Sequence, residues 1–146
     1  ASARRACRNN SKRNVRSLRQ FIESQQEAAV HEDHARFLDR DDAFHQSIGV
    51  MGGCQSVWRV VDDLRGQVDR VRYISHPRDL PFNLLIGHHI RIVDAIERGD
   101  ADIASSAMLL HISEVIPNLH DIAARHHALF SDVDPPEGHG GQHQSA

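Results

Sequence analysis

An aspartate and a histidine share a helix face with apolar residues in the stretch LDRDDAFHQSI, residues 38–48. Asp41 and His45 are one turn apart when this stretch is read as a helix, so both side chains point the same way. The apolar residues of that stripe are Phe37, Leu38, Phe44 and Ile48. Because an apolar stripe packs into a core, the pattern predicts a carboxylate and an imidazole in a buried place, where each needs a partner.

Two more histidines lie on apolar stripes further along the chain. His89 falls among the inward positions of one predicted helix, whereas its neighbour His88 does not. Those inward positions are Phe82, Leu85, Ile86, Ile92, Val93 and Ile96. His111 falls on the stripe of the next helix. The apolar residues of that stripe are Ala104, Ala107, Met108, Val115, Leu119 and Ile122. Three helices are therefore predicted to aim Asp41, His45, His89 and His111 inward.

Four such groups together indicate a divalent transition metal. A lone histidine on an apolar face usually bonds a carbonyl or water, and an aspartate and histidine one turn apart usually form a hydrogen-bonded couple. An ionised carboxylate buried with three imidazoles and no cation, however, would leave costly unsatisfied groups. This donor set suits zinc, ranked first here, or nickel, manganese, iron or cobalt. Four protein ligands are compatible with a closed tetrahedral site and with an octahedral site that keeps two open positions.

The elements that must position these residues are all helices. Apolar residues recur every three or four positions, and no alternating strand pattern occurs. We expect helices over about 12–30, 33–50, 55–76, 79–98 and 100–130, with residues 1–9 as the end of a truncated helix. Amphipathic helices with short connections predict an all-α antiparallel bundle of about six helices.

Local signals mark where these helices begin and end. Asn10-Ser11 reads as the cap of the first full helix, and Glu32-Asp33 supplies acids for the first turn of the second. Gly52-Gly53 and Gly99 are placed where left-handed residues end helices. Pro117 lies inside the last helix and predicts a kink or a short break.

Composition limits the classes of function. The 146 residues predict one domain over 1–134 and a disordered tail over 135–146. With 17 basic and 20 acidic residues, the body of the chain is not a nucleic-acid platform, although residues 1–20 carry seven basic residues and no acid. Two cysteines indicate no disulfide framework, and no segment is apolar enough for a membrane span. We expect a cytoplasmic protein without membrane contact.

Three segments together resemble a known family. They are DxxFH at residues 41–45, HxxxxxAIxxGD at residues 89–100, and an alanine and methionine pattern that ends at His111. Over about residues 1–125, the chain resembles the FCD domain, which is the effector-binding and dimer-forming domain of one branch of the GntR superfamily of bacterial transcription regulators. Where relatives commonly have Gly-Asn after the second helix, this chain has Gly52-Gly53.

The resemblance implies a ligand-sensing role. It carries the metal-ligand roles onto Asp41, His45, His89 and His111. It also implies a homodimer, a small organic acid bound at the metal, and DNA contact through an amino-terminal winged helix-turn-helix, for which this chain has no room.

Three further residues are candidates for the effector site. Relatives often hold the acid with a basic residue of the third helix, for which Arg72 is the first choice and Arg65 the second. For each, a solvated arginine at the edge of the core is an equal alternative. His88 replaces an acid often found beside the metal histidine, so it could compete for the metal or tune the charge of the pocket.

Two other functions stay open at this point. A metal-dependent enzyme of an all-α fold could use open positions on the same ion, but no general base stands beside the aspartate and histidine pair. His120-Asp121 resembles the pair of HD phosphohydrolases without their other ligands, and hemerythrin-like carriers need more ligands than the stripes supply. The other alternative is a dimerisation module that holds no metal.

Overall fold

Five α-helices make up the described part of the chain. The computed structural model describes residues 2–54 and 82–125, with side chains described up to residue 114. The helices are α1 (Ser2–Ala6), α2 (Lys12–Val30), α3 (His34–Met51), α4 (Phe82–Arg98) and α5 (Ala101–Arg125), and a 3-10 turn over Cys7–Asn9 follows α1. No strand occurs in these two ranges, and the predicted all-α class is confirmed.

Polar side chains cap the amino ends of three helices. Ser11 caps α2, Asp33 caps α3, and Asp100 precedes α5. In each case the side-chain oxygen accepts from the backbone N–H three residues further on, at 3.0–3.2 Å. These bonds satisfy N–H groups that the first turn of a helix leaves without a carbonyl. The predicted starts of these three helices are therefore confirmed within a residue or two.

A residue in the left-handed region ends α2, α3 and α4. Gly53 has φ +66° and Gly99 has φ +72°, as the sequence predicted, and Glu32 has φ +53°. After each of them, the next residue donates its backbone N–H to the carbonyl five residues back, at 2.9 Å. This pattern is the Schellman cap. The prediction that Glu32 belongs to the first turn of the second helix is wrong, because Glu32 ends α2 and Asp33 is the cap of α3.

Glu32→Gly should stabilise the domain by roughly 0.5–1 kcal/mol. The left-handed conformation costs a residue with a Cβ about 1–2 kcal/mol, which glycine avoids. Part of this gain is offset because glycine loses more conformational entropy on folding. Urea unfolding of the two proteins measures the difference. Gly53→Ala is the matched control: an added Cβ there meets no atom within 4 Å, so only the backbone cost should appear, as a loss of stability. A neutral or destabilising Glu32→Gly would contradict the assignment.

The helices form two hairpins that pack on each other. Residues 31–33 join α2 to α3, and residues 99–100 join α4 to α5. Helix α2 also packs against α4, and the short α1 contacts both α3 and α5. The largest fully buried apolar side chains are Phe37, Phe44, Leu18, Leu38, Ile48, Ile92, Ile96 and Val93. The antiparallel bundle therefore brings the inner faces of α3, α4 and α5 together around one core.

The inward face predicted for the fourth helix needs correction. His88 was predicted to lie off the inward stripe of its helix, but it is buried. The physical reason is that α4 packs against α2 on one side and α5 on the other, which buries a wider face than one stripe. Helix α5 passes through position 117 without interruption, so no break occurs there. The predicted helix over 55–76 and the predicted tail lie outside the described residues.

None of the helices in the described ranges combines the length and apolar character needed to cross a membrane.

Candidate metal centre

Three imidazoles from three helices converge in the core. His45 comes from α3, His89 from α4 and His111 from α5. One ring nitrogen of each lies within 4.8 Å of the others, and Nε2 of His45 is 3.1 Å from Nε2 of His111. Periodicity placed each of these histidines on an inward stripe, and the packing of the hairpins brings the three stripes to one point.

Asp41 adds a carboxylate to the three imidazoles. Its Oδ1 lies 3.4 Å from His89 Nε2 and 3.7 Å from His45 Nε2, and the residue is only 3% exposed. Asp41 and His45 are one turn apart on α3, so a single helix supplies two of the four groups. The structure thus brings together all four residues that the sequence singled out as candidate ligands.

Three of the separations between these atoms can be compared with the spacing of donors around one ion. Two donors at about 2.1 Å from an ion lie about 3.0 Å apart at the angle of an octahedron and about 3.4 Å apart at the angle of a tetrahedron. The 3.1 Å and 3.4 Å separations lie in this range, and the 3.7 Å separation is slightly longer. Three imidazole nitrogens with one carboxylate oxygen are a donor set for first-row transition metals. The residues present therefore fit a divalent cation.

His89 is the most enclosed of the four groups. It is 0% exposed, and the ring of Phe44 packs on it with centroids 4.3 Å apart. Burial lowers the pKa of His89 to about 2, an effect that the neighbouring histidines reinforce and the Asp41 carboxylate opposes. The imidazole is therefore neutral at physiological pH. A neutral ring is the form that binds a metal.

Gln25 supports His89 from a helix that carries none of the four groups. Gln25 lies on α2, is 0% exposed, and places its Oε1 2.9 Å from His89 Nδ1. With the amide oxygen as acceptor, Nδ1 carries the proton and the lone pair of Nε2 faces Asp41. Sequence reasoning missed Gln25. Gln25 continues the stripe of Val15, Leu18 and Ile22, which is a signal of burial, but an amide is not a usual metal ligand, so its position alone does not indicate a role at the site.

His88 lies at the edge of this group. Its Nε2 is 3.3 Å from Oε2 of Glu114, and its ring is 5.7 Å from the ring of His111. Within the described residues, its buried Nδ1 has no hydrogen-bond partner. His88 does not join the three converging histidines, so its predicted competition for the metal finds no support in the geometry. Arg72 and Arg65 lie outside the described residues.

An approach to the site exists on the side of His45. Its side chain is 13% exposed, whereas that of His89 is fully buried. His45 lines a cavity of about 190 Å³ together with residues of α1, α3 and α5. The other lining residues are Ser2, Ile48, Gly49, Ser105, Met108, Leu109 and Ile112. Of the four converging groups, His45 is the one that lines this cavity.

The fold and the converging side chains define an all-α domain with a candidate metal centre in its core. The family model described as the FCD domain matches residues 1–114, and the chain belongs to this family. The resemblance drawn from the sequence is thereby confirmed. FCD is a regulatory domain and not a catalytic one, so the enzyme alternative is set aside.

The curated relatives are named as transcriptional regulators. The chain is 30% identical over 132 residues to the HTH-type transcriptional repressor RspR of Escherichia coli K12, covering 90% of this chain and 58% of that protein. It is 30% identical over 99 residues to an uncharacterized HTH-type transcriptional regulator in an unstable DNA locus of Streptomyces ambofaciens, covering 68% of this chain and 42% of that protein. The chain thus spans less than two thirds of the length of these relatives.

Proposed function

We propose that this domain senses a small organic acid at a divalent metal, with zinc as the first candidate, and controls DNA binding by a GntR-type regulator. The observation that supports the proposal is the convergence of His45, His89 and His111 in the core, with the Asp41 carboxylate 3.4 Å from His89 Nε2 and 3.7 Å from His45 Nε2. The names of the relatives support the regulatory part, since one is a transcriptional repressor and others are transcriptional regulators.

Charge explains why an acid is the proposed ligand. A divalent cation held by one carboxylate and three neutral imidazoles keeps a net positive charge in a place with little water, and it would attract and orient a carboxylate. Arg72, or Arg65 in its place, is proposed to bind the same carboxylate through its guanidinium group. His88 is proposed to contact the acid from the edge of the site, because its buried Nδ1 lacks a hydrogen-bond partner among the described residues.

Regulation requires that the acid bind one arrangement of the helices more tightly than another. The four proposed ligands lie on α3, α4 and α5, so a small displacement at the metal acts on three helices together. Helix α1 contacts α3 and α5 and would pass the displacement towards the amino end of the domain. We propose that the regulator acts in the cytoplasm as a homodimer, and that an amino-terminal winged helix-turn-helix domain makes the DNA contact.

Elemental analysis of protein purified without chelator tests the proposal. We expect about one first-row metal ion per chain, with removal by a chelator and a fall in the melting temperature. A panel of lactate, pyruvate, citrate and sugar acids should contain one that raises the melting temperature of the metal-loaded protein and leaves the chelated protein unchanged. Protein that holds no metal and melts at the same temperature with chelator would support the metal-free dimerisation module instead.

A further inference from the structure

We infer that Gln25 is a positioning residue that selects which nitrogen of His89 carries the proton and so sets how tightly the domain holds its metal. The inference rests on the proposed metal site and adds a residue outside the four proposed ligands. It also assigns a role to α2, the one long described helix that carries none of those ligands.

The contacts of Gln25 single it out. It is a fully buried amide in the apolar core, and its Oε1 lies 2.9 Å from His89 Nδ1. Its Nε2 is buried and has no hydrogen-bond partner among the described residues. Burial of an amide with one of its ends unsatisfied costs about 1–3 kcal/mol, which an apolar residue at the same position would avoid. A role at the metal site accounts for this otherwise unfavourable choice.

The amide can serve His89 in two orientations. When its oxygen faces His89, Nδ1–H donates to Gln25 and the Nε2 lone pair is available to a metal. When the amide turns over, its N–H donates to Nδ1, and Nε2–H points at the Asp41 carboxylate, whose Oδ1 is 3.4 Å away. The first orientation suits the loaded site and the second suits the metal-free site. Glutamine thus bonds His89 in both states, and the bond in the loaded state is the stronger, because a cation on Nε2 makes Nδ1–H a better donor.

Substitutions at position 25 should separate these roles. A carboxylate can only accept, so Gln25→Glu favours the ligating tautomer, while Gln25→Leu removes the partner of Nδ1 altogether. Loss of such an outer hydrogen bond typically lowers metal affinity about 10–100-fold. We expect Gln25→Leu to lower zinc affinity by that factor and Gln25→Glu to bind zinc at least as tightly as the wild type.

The experiment measures zinc affinity of the full chain by competition with a chromophoric chelator. Gln26→Leu is the matched control, because Gln26 is the exposed neighbour on the same helix and should leave the affinity unchanged. Long-range ¹H–¹⁵N NMR reads the tautomer of His89: we expect the proton on Nε2 in the metal-free wild type and on Nδ1 after zinc is added. In metal-free Gln25→Leu, which cannot donate to Nδ1, we expect part of the protein to carry the proton on Nδ1, whereas a purely structural role for Gln25 would leave the metal-free tautomer as in the wild type.

The outcomes distinguish this inference from the proposed function. A wild type that binds no zinc overturns the metal site itself. A wild type that binds zinc, together with Gln25→Leu of equal affinity or a His89 tautomer that does not change on loading, overturns the role of Gln25 alone. If Gln25→Leu does not fold, Gln25→Glu tests the inference instead. A zinc affinity of Gln25→Glu clearly below that of the wild type would contradict it.

Discussion

Replacing His89 by alanine should strongly weaken metal binding by the domain and remove most of the stabilisation that the metal provides. His89 is the fully buried member of the converging group, and its Nε2 faces the Asp41 carboxylate at 3.4 Å. A metal present at about 1,000 times its dissociation constant stabilises a folded protein by about 4 kcal/mol. If loss of the imidazole weakens binding about 1,000-fold, less than 1 kcal/mol of that stabilisation remains.

Each variant is compared with itself, with and without metal. His89→Ala also leaves a cavity beside Phe44, which lowers stability in both conditions and cancels in this difference. His31→Ala is the control for the loss of one histidine, since His31 is exposed and lies away from the core. We expect this control to keep the metal content and the metal-induced rise in melting temperature of the wild type. Equal metal content in His89→Ala would remove this histidine from the proposed site.

Local patterns predicted the helices of the described ranges and the inward direction of the four candidate ligands. Helix ends follow from short-range chemistry, so the caps at Ser11 and Asp33 and the glycine at position 99 could be recognised from neighbouring residues alone. The convergence of the histidines could also be anticipated, because a polar residue on an apolar stripe must point into the core. Asp41 is the clearest example: its position on the apolar stripe of α3 predicts burial, and the residue is buried.

The features that escaped prediction depend on contacts between distant helices. Whether His88 is buried depends on how many helices pack around α4, and the period of one helix does not contain that information. The bond from Gln25 to His89 joins residues 64 positions apart, so only the assembled bundle reveals it. The role of Glu32 was predicted wrongly for a different reason. Acids just before an apolar stripe usually belong to the first turn of a helix, but the short connection from α2 to α3 requires a left-handed residue at this position.

Stability of the metal-free domain should fall as the pH is lowered below about 6.5. The sign follows from proton binding by His89. In the folded protein burial holds its pKa at about 2, while in the unfolded chain it returns to the ordinary value of 6.5. Between these values only the unfolded state binds a proton, so acid favours unfolding. His89 alone should cost about 1.4 kcal/mol at pH 5.5 and about 2.7 kcal/mol at pH 4.5.

Urea unfolding of chelator-treated protein at several pH values between 7.5 and 4.5 measures this loss. His89→Leu removes the titrating group and keeps an apolar side chain in the core, so its stability should depend on pH less steeply by about 1.4 kcal/mol per unit. Saturating zinc should make the stability of the wild type depend more steeply on pH, because protons then also compete with the metal for the imidazoles. If the free energy of unfolding depends on pH equally in the metal-free wild type and in His89→Leu, then His89 accepts a proton in the folded protein. Burial would then not hold it neutral.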